Sequence, residues 1–199
     1  MTFKMEQELS IMAQSLATTS LLAELENAKF LKSEYFENLH FKVQDFKDIL
    51  IESKTIGNPA SMQMMLYALL VIPYELLDRN DNEELSKRMN IVNDAFFKVV
   101  EGNDTYSTYV GEDIKSSIDY VRHIRNSVAH SRCEFNSMYG KNYVIFKDVF
   151  EDKQNRNYEC VIKIECKKVG GILEELQRVM LKYYNDLRGI YLKSIEDGN

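Results

Sequence analysis

Apolar residues recur at alternating spacings of three and four along most of the chain, the period of amphipathic helices. Met5, Leu9, Met12 and Leu16 form the first such stripe and predict a helix over residues 4–27. Phe36, Leu39, Val43, Phe46 and Leu50 form the second, with Glu34, Lys42, Lys47 and Asp48 off it, and predict one long helix over roughly 30–53. After a break at residues 54–58, Asn58-Pro59 supplies an N-cap and a proline suited to the first helical position, so a third helix is expected over 59–79. Pro73 lies inside it, removes one backbone donor and predicts a kink one or two turns before the end. Leu85, Met89, Val92, Phe96 and Val100 mark a fourth helix over 83–101 that Gly102 stops, and the polar, tyrosine-bearing stretch 102–110 reads as a loop. A fifth helix is expected to begin near Glu112, with Ile114, Ile118, Val121 and Val128 on its buried side.

Beyond this point the period changes from helix to strand. Tyr158, Cys160, Ile162, Ile164 and Cys166 alternate with Glu159, Val161, Lys163, Glu165 and Lys167, the pattern of a half-buried strand. Its partner is expected at 143–150, joined through the turn-like residues 151–157, and 133–138 adds a short third strand before the Tyr139-Gly140-Lys141 turn. Gly170-Gly171 is expected to separate this sheet from a last helix over 172–195, whose stripe is Leu173, Leu176, Met180, Tyr184, Leu187 and Tyr191. The expected fold is mainly α: an antiparallel helical bundle with a small antiparallel β-hairpin or three-stranded sheet inserted before the C-terminal helix. A single domain over 1–199 would comprise a helical arm (1–29), a core bundle (30–132), the hairpin (133–168) and the C-terminal helix (169–199).

Composition agrees with that reading and narrows the chemistry. With 45% hydrophobic and 28% charged residues, two prolines and eight glycines, the chain is globular, and disordered and fibrous classes are excluded. A net charge of −6 argues against a broad nucleic-acid coat, which needs many cations on one face, but leaves room for a small basic site. Three cysteines without CxxC spacing indicate neither a disulfide framework nor a zinc site, which points to the reducing cytoplasm; Cys160 and Cys166 are read as core neighbours on one strand face. No secretion signal is expected at the N-terminus, because Glu6, Gln7, Glu8 and Gln14 interrupt the apolar residues. The most apolar run, residues 62–77, contains Gln63, Pro73 and Glu75 and falls short of the roughly 20 residues that span a bilayer. It reads as a buried core helix.

Against the acidic average stands a basic island. Arg122, His123, Arg125, His130 and Arg132 fall between Val121 and Cys133 with no acid among them. At about 100° per residue, Asp119, His123, Asn126 and His130 share one polar sector of the fifth helix, whereas Arg125 falls in the apolar stripe. An arginine there either pairs with a buried acid, for which Glu75 in its apolar context is the candidate, or points into an interface. For Arg125 and His130 to act on one substrate, the helix must end or distort between them, or a second copy of the helix must contribute. His130 also suits a helix C-cap, and His123 and Arg132 suit exposed surface positions.

Arg125-Asn126-x-x-x-His130 resembles the Arg-x(4–6)-His motif, with a polar residue after the arginine, of the HEPN superfamily. The long apolar helix pair before the motif and its place at the end of a later helix are similar to that family, over roughly residues 30–132. The hairpin and final helix resemble the extension of some plasmid-borne HEPN families. The resemblance implies a metal-independent endoribonuclease in a toxin or phage-defence (abortive-infection) role, requiring no cofactor. It also implies a homodimer whose two motifs face one cleft, RNA as substrate and an antitoxin protein as a further partner. Carried onto this chain, it makes His130 the general base or acid, Arg125 the phosphate clamp and Asn126 the orienter of His130 or of the scissile phosphate. Arg122, His123 and Arg132 become backbone-binding or auxiliary residues. The chemistry suits them, since RNA brings its own 2′-hydroxyl nucleophile and needs only a base, an acid and phosphate donors. The alternative is a non-catalytic HEPN-like module that binds a nucleotide or a partner protein in the same cleft; a third reading is a helical scaffold.

Overall fold

Helix α1 (Thr2–Asn27) buries Leu9, Met12 and Leu16 as the pattern requires, and the stripe continues to Thr19, whose hydroxyl donates to the Ser15 and Leu16 carbonyls. The computed structural model describes residues 2–55, 57–77, 83–100, 106–107, 118–151 and 157–196. The second expected helix is not continuous. Lys29 adopts a left-handed conformation (φ 53°), a 3₁₀ turn occupies Phe30–Lys32, and α2 (Glu34–Glu37) and α3 (Gln44–Ser53) are separate. The physical reason is a local aromatic cluster. Phe36 is buried against Phe30 (5.5 Å between centroids) and Phe41 (6.3 Å), while Ser33 caps α2 by accepting the Phe36 amide. Lys47 reaches back from α3 to donate to the Glu37 and Leu39 carbonyls, which satisfies the end of α2 and folds the chain over Phe36. As a result Val43 and Phe46 of the expected stripe are exposed.

The third segment starts as expected, with Asn58 accepting the Ser61 amide (3.0 Å) and Pro59 at the first position of α4 (Pro59–Leu66). Pro73 is accommodated by more than a kink. A π-helical turn over Tyr67–Val71 precedes α5 (Ile72–Leu77), so the donor that proline lacks and the carbonyl its ring would strike are absorbed by a wider turn. Leu66, Leu69, Leu70 and Val71 stay in the core through this turn. Helix α6 (Glu83–Val99) buries Leu85, Met89, Val92 and Phe96, and its Arg88 binds Glu84 at 2.7 Å and Asp186 of the last helix at 2.8 Å. The expected Gly102 stop lies outside the described residues. Within the expected tyrosine loop, Tyr106–Ser107 instead forms a short strand, β1.

The helix that carries the basic island, α7, runs Tyr120–Ala129. It starts later than the sequence suggests: Ile118 and Asp119 precede it, and the Asp119 carboxylate caps it by accepting the Arg122 amide (3.0 Å). Residues 112–117, where the expected first turns fall, lie outside the described residues. Strands β2 (Cys133–Met138), β3 (Lys141–Glu151) and β4 (Asn157–Glu165) join β1 in one antiparallel sheet of order β1-β4-β3-β2. The register places Val144 opposite Ile164, Phe146 opposite Ile162 and Asp148 opposite Cys160, so the core face of β3 reads Val, Phe, Asp. Helix α8 (Cys166–Glu196) leaves β4 without a loop, so Cys166 belongs to the helix and not to the strand. Gly170 and Gly171 lie within α8, where buried Val169 and Ile172 on either side hold the helical register.

The result is a mainly helical bundle with a small antiparallel sheet before the last helix, as the pattern implies. One continuous core cluster joins Met12, Leu66, Phe96, Ile124, Phe146 and Leu176, from five helices and the sheet. No helix among the described residues is long and apolar enough to cross a membrane. Two substitutions test this packing in opposite directions by chemical denaturation at neutral pH. Ile124→Ala, at a fully buried position of α7, is expected to destabilise by about 2–5 kcal/mol. Gly171→Ala, where an added Cβ meets nothing within 4 Å, is expected to stabilise by about 0.5–1 kcal/mol.

Candidate functional site

Helix α7 is fixed by its apolar side, where Val121, Ile124 and Val128 are buried, and by Ser127, which is fully buried and donates its hydroxyl to the His123 carbonyl (2.7 Å). It ends in a tight reversal. The Ser131 amide donates to the Val128 carbonyl (3.2 Å) and the Arg132 amide to that of Ser127 (2.7 Å), the pairing of a Schellman motif. Ser131 supplies the left-handed residue (φ 54°), a conformation costing an L-residue about 1 kcal/mol. The same turn starts β2, because the Arg132 carbonyl accepts the Lys147 amide (3.0 Å) and the Arg132 guanidinium donates to the Val149 carbonyl (3.0 Å). The motif helix is thus stitched to β3 as soon as it ends.

His130 is the C-cap residue of α7 and is exposed, with its amide bound to the Asn126 and Val128 carbonyls. Helix α7 runs unbroken from Arg125 to Ala129, and the His130 amide still binds the Asn126 carbonyl, so the helix neither ends nor distorts between Arg125 and His130. Among the described residues no hydrogen bond links the two side chains. Arg125 is half-buried. Its guanidinium lies over the Tyr74 ring, 4.6 Å from the centroid, and donates from Nε (3.3 Å) and Nη2 (3.0 Å) to Oδ1 of Asn126. Glu75 does not take the part expected of it. It is exposed, and no ion pair joins it to an arginine among the described residues, because its neighbour Tyr74 presents a ring where a carboxylate was anticipated. Asn126 orients Arg125 through its side chain, whereas it meets His130 only through its backbone.

His123 departs furthest from expectation. It is not an exposed surface group: it is buried, and its Nδ1 lies 2.8 Å from Oδ2 of Asp148 on β3. The same oxygen accepts the Asn126 amide (3.1 Å). Asp148 is only 2% exposed, and burial by itself would push its carboxyl up. The hydrogen bonds from His123 and Asn126, with electrostatic attraction from the same His123 contact and from Arg122, outweigh burial and hold it below the usual carboxylate range. An ionised carboxylate only accepts, so the proton of this contact sits on His123 Nδ1. Arg122 and Arg132 are exposed on the same stretch.

Asp148 is the residue that sequence reasoning passed over. The signal was the alternation Val144, Phe146, Asp148, which places a carboxylate on the core face of a strand and so demands partners. The cysteines lie outside this chemistry. Burial pushes the Cys133 thiol up to about 11, and burial with the nearby Asp148 charge pushes Cys160 to about 12, so neither is a thiolate near neutrality.

A family profile described as HEPN pEK499 p136 matches residues 5–187. The chain belongs to this HEPN family. No curated protein and no solved structure matches it. The match spans the sheet and most of α8 as well as the bundle, so the hairpin and last helix are within the HEPN match and Asp148 falls inside it.

The Asp148 contacts give this HEPN chain a defined acid response. Because its carboxyl is depressed in the folded state, its contribution is fully present above the ordinary carboxylate pKa of about 3.9 and is lost as pH falls through the depressed folded value. In urea melts from pH 7 to 3, wild type is expected to lose stability below about pH 4. Asp148→Asn should start lower by about 2–3 kcal/mol and show a shallower acid slope, and parallel slopes would contradict the assignment.

Proposed function

We propose that this HEPN chain is a metal-independent endoribonuclease that cleaves RNA by attack of the 2′-oxygen on the adjacent phosphate, in a toxin or phage-defence role. The observation that carries the reading is the state of Arg125. Its guanidinium plane rests on Tyr74 and one edge is occupied by Asn126, so its free donors are already oriented, while His130 stands exposed at the end of the same helix. A preset cation and an imidazole brought into one cleft are what in-line transesterification requires.

In this mechanism a His130 imidazole removes the 2′-hydroxyl proton, O2′ bonds to phosphorus, and the bond from phosphorus to O5′ breaks. The leaving O5′ takes a proton from the protonated His130 of the facing copy, and the products are a 2′,3′-cyclic phosphate and a free 5′-hydroxyl. Arg125 binds the non-bridging oxygens as charge builds on them. Arg125 and His130 project from α7 roughly 140° apart, so we place two copies of the helix across one cleft, each supplying an arginine and a histidine. Exposed Arg122 and Arg132 extend the positive surface along which the RNA backbone would run.

Purified protein incubated with single-stranded RNA in excess EDTA is expected to cleave it to cyclic-phosphate ends. His130→Ala should slow cleavage by about 10²–10⁴-fold. Arg125→Lys should not restore an Arg125→Ala defect, because an ammonium cannot hold Asn126 and fork a phosphate at once. Intact RNA with wild type, or equal cleavage by His130→Ala, would sink the proposal. Growth arrest on expression, relieved by His130→Ala, is the expected cellular counterpart; unaffected growth with the wild-type chain would remove the toxin role.

A further inference from the structure

Arg125 reaches the sheet through an unbroken line of polar contacts. Its Nε and Nη2 hydrogens converge on Asn126 Oδ1, and the Asn126 amide nitrogen is held by Asp148 Oδ2, which His123 Nδ1 also engages. An asparagine amide has two ends of opposite character, and which one faces the arginine decides whether Arg125 is held or repelled. Asp148 removes the choice. A carboxylate accepts only, so it captures the NH₂ end and turns the carbonyl end toward Arg125.

We propose that Asp148 is a positioning residue for Arg125, acting through the side chain of Asn126, so that strand β3 is part of the phosphate-binding apparatus. The geometry has a second consequence. With Nε and one Nη2 hydrogen committed to Asn126 and the guanidinium carbon over the Tyr74 ring, Arg125 meets its anion with the end-on edge, Nη1 and the remaining Nη2 hydrogen. The sheet therefore selects which edge of the guanidinium binds. The relay itself is independent of the reaction; its kinetic effect rests on the ribonuclease reading above.

The test separates the two. In ¹⁵N-labelled protein the Arg125 Nε–H signal, assigned by its loss in Arg125→Lys, is expected to be shifted and slow to exchange with solvent. Asp148→Asn and Asn126→Ala should each move it to the position and exchange rate of an exposed arginine, with the backbone amide spectrum otherwise preserved. Asp94→Asn, an exposed carboxylate on α6, should leave it alone. In the cleavage assay Asp148→Asn is expected to lower kcat about 10–100-fold, and the Asp148→Asn, Arg125→Ala double variant should be no worse than Arg125→Ala alone. An unchanged Nε–H in folded Asp148→Asn, or losses that multiply in the double variant, would overturn the proposal. If Asp148→Asn does not fold, Asn126→Ala, which leaves the His123 contact with Asp148 in place, carries both readouts. A wild type that cleaves nothing while its Nε–H obeys the variants would overturn the ribonuclease reading and leave the relay standing.

Discussion

A carboxylate on the core face of a sheet has to be compensated, and the way Asp148 is compensated organises the rest of the site. Charge in a low-dielectric interior is tolerated only with donors directed at it. Both donors come from α7, so one oxygen ties the motif helix to β3 at two points, one turn apart. Apolar packing of Ile124 and Val128 presses the helix against the core, but such packing is non-directional and tolerates small rotations. The two hydrogen bonds on Oδ2 do not, and they set the azimuth at which Arg125 and Asn126 leave the helix.

The other side of Arg125 depends on a defect in a neighbouring helix. A straight α-helix through Pro73 would strand a carbonyl, and the π-helical turn over Tyr67–Val71 resolves this by adding one residue to the turn. Every side chain after it is rotated relative to a regular helix, and Tyr74 is one of them. The ring on which Arg125 rests owes its place to how the chain deals with proline. A sheet carboxylate and a helix irregularity, far apart in sequence, thus meet on one guanidinium.

Helices with a single buried stripe were readable from residue spacing: α1, α4, α6 and α8 follow from Met12, Leu66, Phe96 and Leu176 and their neighbours. The strands were readable from alternation, down to the pairing of residues near 143–150 with those near 158–165. Periodicity failed where short-range contacts beat it, around Phe36, whose aromatic neighbours and the Lys47 cap bend what reads as one helix into three pieces. It also failed at Gly170-Gly171, where flanking buried residues outweigh the low helix propensity of glycine. For the site, Arg125-Asn126-x-x-x-His130 was legible as a motif, but its partners were not. Tyr74 and Asp148 lie 51 residues before and 23 after Arg125, and no local spacing encodes such contacts. His123 was misread for the same reason, since its helical sector looked polar until β3 was laid across it.

The junctions around the sheet carry one more implication. Only the turn at His130-Ser131 and the linking residue Arg132 separate α7 from β2, and nothing separates β4 from α8. An added or deleted residue at the first joint would slip β2 and tear its stitches to β3, and at the second would swing the Leu176 and Met180 stripe of α8 by about 100° out of the core. Side chains on α7 can thus be exchanged without disturbing either joint, whereas the length of the polypeptide on either side of the sheet is fixed by both.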